Sequence, residues 1–168
     1  MLSKRLMPLC LLAFAAFSTV DVQTQHMVPF KGSWTGQTIS ADLSTFPVVG
    51  VVSAGGGRIT HLGRNTMVSP HTSNVFTGET IGEQIFTAAN GDTLTAHCEG
   101  FPVSAPDGST VAGSLNCVFT SGTGRFAGAT GGYEFAFAST LIPEALPDVR
   151  YATVAAINGM ISSVGSSQ

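Results

Sequence analysis

Apolar and polar residues alternate with a period of two along most of the chain, and Gly, Asn, Asp and Pro break the alternation at short intervals. That pattern predicts strands at 30–40, 46–54, 57–69, 74–80, 83–89, 92–100, 110–120, 131–140 and 150–161. Beyond the first residues there is almost no helical periodicity. Asn90-Gly91 between two runs is a strong hairpin signal, and Asp107-Gly108 is another. Short strands with tight connections build an antiparallel sandwich or barrel. Closure into an eight-stranded β-barrel, an all-β fold in a single domain, removes the edges that a weakly charged chain protects poorly.

The alternation also sorts faces. In GGYEFAFAST, Tyr133, Phe135 and Phe137 share one face, while Glu134, Ala136 and Ala138 share the other. Two orientations stay open. With the aromatic row inward, Tyr133, Phe135 and Phe137 are ligand-binding candidates and His61 the polar group beside them. With the other row inward, Glu134 enters the barrel beside small alanines and becomes the candidate acid–base group. His61 and Glu134 are therefore the catalytic candidates. The alternative for each is plain: a histidine bonded to a backbone carbonyl, and a carboxylate on the outer face. Glu83 is open to the same two readings. His97 and Glu99 flank Cys98 and face solvent, and His26 and His71 fall in loop-like polar stretches.

Composition narrows the function classes. The 168 residues suffice for one domain. They begin MLSKRLMPLCLLAFAAFSTV, where Lys4 and Arg5 precede the apolar run Leu6–Phe17 and then Ala16-Phe17-Ser18. Basic, apolar and small residues in that order predict a signal peptide over 1–18, too short to span a bilayer. The chain then divides into an N-terminal segment 19–29, a barrel domain 30–163 and a frayed tail 164–168, secreted or periplasmic. Past residue 18 five basic residues stand against ten acidic ones. That balance gives no footprint for nucleic acid and no reason for membrane insertion. The two remaining cysteines, Cys98 and Cys117, are centred on Asp107-Gly108. A hairpin folded there sets them opposite each other, close enough for a disulfide. The alternative, a metal pair, lacks a matching His or Cys pair, so no metal site is expected.

GTGRFAGATG (122–131) is glycine-dense, but no Lys-Ser or Lys-Thr follows and no helix begins. It is neither a phosphate-cradling loop nor a dinucleotide fingerprint. It predicts a tight bend, with Phe126 anchored in the core, Arg125 outward or capping carbonyls, and Gly124 and Gly128 at positive φ. No G-x-S-x-G elbow occurs, and no cofactor is expected.

THLGR (60–64), FTAANGD (86–92) and GTGRFAGATG (122–131), in this order and spacing, resemble a group of exported bacterial proteins similar to the allene oxide cyclase and dirigent proteins. The resemblance covers roughly residues 30–140 and implies an eight-stranded antiparallel barrel. Allene oxide cyclases isomerise an unstable fatty-acid epoxide; dirigent proteins steer the coupling of phenolic radicals. Dirigent proteins tend to carry an arginine where this chain has Thr130. The charge stabiliser is missing at that position, and no plant active-site residue transfers. Three functions follow as expectations: a barrel binding a small apolar molecule, a cyclase- or isomerase-type enzyme shaping such a substrate, or a structural or surface-interaction protein. The pattern sets no oligomeric state.

Overall fold

The computed structural model describes residues 26–143 and 150–162. The leader at 1–18, part of the 141–150 loop and the tail at 164–168 lie outside the described residues. Nine strands follow one another: β1 (Met27–Asp42), β2 (Val48–Ile59), β3 (Gly63–Asn74), β4 (Thr80–Ala88), β5 (Thr93–Gly100), β6 (Val103–Ser104), β7 (Thr110–Gly122), β8 (Gly131–Leu141) and β9 (Tyr151–Ser162). All pairings are antiparallel, and the sheet runs β5-β4-β3-β2-β1-β9-β8-β7 before β5 pairs with β7. Eight strands thus form a closed antiparallel barrel, and the two-residue β6 is a spur on the edge of β7.

Cys98 and Cys117 face each other across the β5–β7 pair and are joined by a disulfide, their Cα atoms 4.1 Å apart. The bond therefore crosses the seam whose pairing turns an open sheet into a barrel. Register explains why the sequence midpoint located it. Gly100 opposes Leu115 before the break at Phe101-Pro102, and Val103 opposes Ala112 after it. β6 is the continuation of β5 in unchanged register, interrupted where a proline supplies no N–H to the ladder.

Three strand expectations are corrected. The breaks at 54–57 do not exist, because β2 runs through Gly55-Gly56-Gly57 to Ile59. There β1 and β2 coil so closely that a Cβ on Gly55 would collide with the Thr35 and Gly36 backbone, so glycines continue the strand rather than end it. The run 57–69 is not one strand but a hairpin, turned at Thr60-His61-Leu62. NVFTGET is mostly the β3–β4 turn, where Asn74 Oδ1 accepts from the backbone N–H groups of Phe76 and Thr77 at 3.0 and 3.3 Å.

The barrel has unlike ends. At one end lie the β2–β3, β4–β5 and β7–β8 turns. Beneath them Phe30, Phe86, Phe119 and Tyr133 form an aromatic cluster with centroid separations of 5.1–6.3 Å. Leu62 and Phe126, from two of the turns, are 2% and 0% exposed and seal that end. GTGRFAGATG forms a 3₁₀ turn at Gly124–Phe126, with φ of 54° at Gly124 and 72° at Gly128. Asp92 ties the turns together: Asn90 Nδ2 and the Arg125 backbone N–H donate to its Oδ2 at 2.8 and 3.3 Å. At the other end lie the β1–β2, β3–β4 and β5–β6–β7 connections. Their phenylalanines stay in solvent: Phe46 is 60% exposed, Phe76 75% and Phe101 70%.

Candidate functional site

A cavity of about 250 Å³ occupies the open half of the barrel. Its apolar wall includes Trp34 of β1, Met67 of β3, Leu115 of β7, and Phe135 and Phe137 of β8. Trp34 and Phe135 pack with ring centroids 6.0 Å apart, and Phe135 and Phe137 at 5.9 Å. Inward alternation therefore puts the aromatic row of β8 inside, the first of the two orientations. Tyr133 itself is 5% exposed and does not line the cavity. It belongs to the layer below.

That layer is the floor. The Tyr133 hydroxyl donates to Gln84 Oε1 at 2.8 Å and lies 3.9 Å from Cys98 Sγ. Burial raises the Tyr133 phenol well above its ordinary pKa, so this hydrogen bond keeps its proton across the physiological range. Toward the mouth, polar side chains pair with one another: Ser73 Oγ with Thr80 Oγ1 at 2.9 Å, and Ser139 Oγ with Thr153 Oγ1 at 2.8 Å. The Tyr151 hydroxyl donates to the Gly108 carbonyl at 2.7 Å, fixing the β6–β7 turn over the rim.

His71 is the ionisable group that the pattern left in a loop. It lies on β3, opposite Val51 and Gly82, and lines the cavity. Its Nδ1 sits 3.0 Å from the Ser69 carbonyl oxygen and so carries the proton, leaving Nε2 as an acceptor. Burial lowers its pKa, partly opposed by that hydrogen bond. No aspartate, glutamate, lysine or arginine is among the described residues lining the cavity. Among the described residues no group of three or more His, Cys, Asp or Glu could hold a metal ion.

The two catalytic candidates lie elsewhere. His61 is exposed in the β2–β3 turn at φ 67°, at the sealed end of the barrel. Glu134 points outward opposite Asn116 and Asn158 and is exposed. Neither lines the cavity. Glu83, His97 and Glu99 are also exposed on the outer surface.

Fold and cavity together define a closed eight-stranded antiparallel barrel with one sealed and one hollow half. Among solved structures, the chain is similar to the pterocarpan synthase dirigent protein GePTS1, at 15% identity and a TM-score of 0.42, over 89% of this chain and 97% of that one. No family model matches the chain, and no curated protein does.

Proposed function

We propose that this protein binds a small, uncharged, largely apolar molecule in the open half of the barrel. The supporting observation is the cavity itself, about 250 Å³ walled by Trp34, Phe135 and Phe137, with no Asp, Glu, Lys or Arg among the described residues that line it. Small-molecule sites are usually apolar with a few placed polar groups and begin near 300 Å³. A hollow eight-stranded barrel holds one small ligand. The chain's single tryptophan, Trp34, is in the wall and reports occupancy directly. Titration with indane should shift or quench its emission saturably and raise the melting temperature. An unchanged spectrum and melting curve up to the solubility of indane would reject the reading.

His71 favours a second reading, a cyclase- or isomerase-type enzyme, because a neutral imidazole in an apolar cavity is a competent general base. The readings part at the fate of the natural ligand. Mass spectrometry of material extracted from the purified protein finds it unchanged under the first, and under the second finds a product that His71→Ala no longer forms.

The Lys4-Arg5 and Leu6–Phe17 order, together with the disulfide, supports an exported protein cleaved after Ser18 and working in an oxidising compartment. N-terminal sequencing should read TVDVQ; a protein beginning at Met1 would reject export by this route.

A further inference from the structure

We infer that the cavity selects ligands carrying an uncharged oxygen acceptor, such as a ketone, ester or ether oxygen, and that the Gln84 amide binds that oxygen at the floor. The inference rests on the cavity being a ligand site and names the chemistry of what it takes.

Gln84 projects inward from β4 and is 1% exposed. A side-chain amide has an acceptor oxygen and two N–H donors. The acceptor is occupied by the Tyr133 hydroxyl at 2.8 Å. That bond also sets which way round the amide lies. Among the described residues the hydroxyl's other hydrogen-bond partner is the disulfide sulfur of Cys98 at 3.9 Å, a weak acceptor. Were the amide reversed, the phenolic hydrogen would be left against sulfur and the amide oxygen would face the cavity unpaired. The Tyr133 proton therefore holds Oε1 down and Nε2 up. Among the described residues Nε2 has no hydrogen-bond partner, and it is not sealed from contact. Since Gln84 lines the cavity, its donors open there.

A ligand that offers the Gln84 donors an oxygen recovers the loss of leaving them bare. A carboxylate or phosphate would offer oxygen too, but no lysine or arginine is among the described wall residues to offset its desolvation.

The test compares indane, 1-indanone and indane-1-carboxylate by calorimetry and Trp34 emission. On the intact protein 1-indanone should bind about tenfold more tightly than indane, and the carboxylate more weakly than either. Gln84→Leu keeps most of the volume and removes the donors. Indane should then bind within about twofold of the intact protein, while 1-indanone falls below indane because its carbonyl loses water without compensation. Tyr133→Phe keeps the amide but frees it to turn, so the ketone preference should shrink and 1-indanol should gain. Equal binding of indane and 1-indanone to the unaltered protein would overturn the inference without recourse to any variant, as would a ketone preference that survives Gln84→Leu. Failure of all three ligands to bind would instead remove the ligand site, and the inference with it.

Discussion

Eight strands run the length of the barrel, yet its two halves are stabilised differently. In the sealed half, side chains from strands and turns fill the interior: Phe30, Phe86 and Phe126 are each 0% exposed. In the hollow half, the same strands carry Ser53, Ser69, Ser73, Ser139 and Thr153 to the wall, and the largest apolar groups at the rim point outward. Small polar side chains leave volume and pair locally; large apolar ones remove it. Stability is concentrated at one end, so the other is free to stay open.

The largest test of that contrast is a pair of truncations. Phe126→Ala should cost about 3–5 kcal/mol by cavity formation in the sealed half, whereas Phe137→Ala, at the half-buried wall, should cost about 1 kcal/mol and weaken indane binding. Chemical denaturation of both variants gives the ratio, and equal losses would abolish the contrast. Next comes the seam. Replacing Cys98 and Cys117 together by alanine should cost about 3 kcal/mol in the chain-entropy model, seen as a lower denaturation midpoint, with Trp34 emission in the native state unchanged. Gly124→Val should cost about 1–3 kcal/mol, because Gly124 has a φ of 54° and a Cβ there would meet the Asp92 carboxylate. A wild-type melting temperature would mean the turn is not strained as its backbone implies. The smallest effect lies in the hollow half and concerns pH. Burial holds the folded His71 pKa below 6.5, so the unfolded chain takes up this proton first as pH falls. The neutral imidazole's contribution is complete above about 6.5 and is lost as pH drops toward the lowered folded value. His71→Gln should therefore flatten the melting temperature against pH just below 6.5; an unaltered slope would mean His71 titrates as it does in the unfolded chain.

The same contrast decides what the sequence reveals. THLGR, FTAANGD and GTGRFAGATG all form turns at the sealed end. Glycine-bearing turns leave a readable signature, and so the fold was legible from them, but they stand at the end away from the cavity. The aromatic row of β8 was legible too, since alternation fixes which residues share a face, though not which face is inside. His71 was hidden because Pro70 precedes it and a turn follows, and prolines normally argue against a strand; here Pro70 is accommodated in β3 opposite Val52. Gln84 does carry a signal in the sequence. It shares parity with Phe86 and Ala88, so a polar residue stood on an inward face. His61 misled for the opposite reason: GRITHLGR has strand-like alternation, and only the backbone shows that it turns.

The pairing of β1 with β9 sets a schedule. Met27 lies opposite Ser162 and Gln37 opposite Ala152, so the first strand of the barrel borders the last. Hairpins from β1 through β5 can form as the chain lengthens, each beside its predecessor, but one long edge of β1 has no neighbour until β9 arrives. Such sequence-distant contacts slow folding and expose strand edges meanwhile. Without β9 beside β1 the sheet stays open along that edge, and the barrel cannot close. Joining residue 26 to residue 162 through a short linker, with new ends opened at Phe101-Pro102, would make the β1–β9 pair a local hairpin and leave the β5–β7 seam to close last, now held between the two new termini.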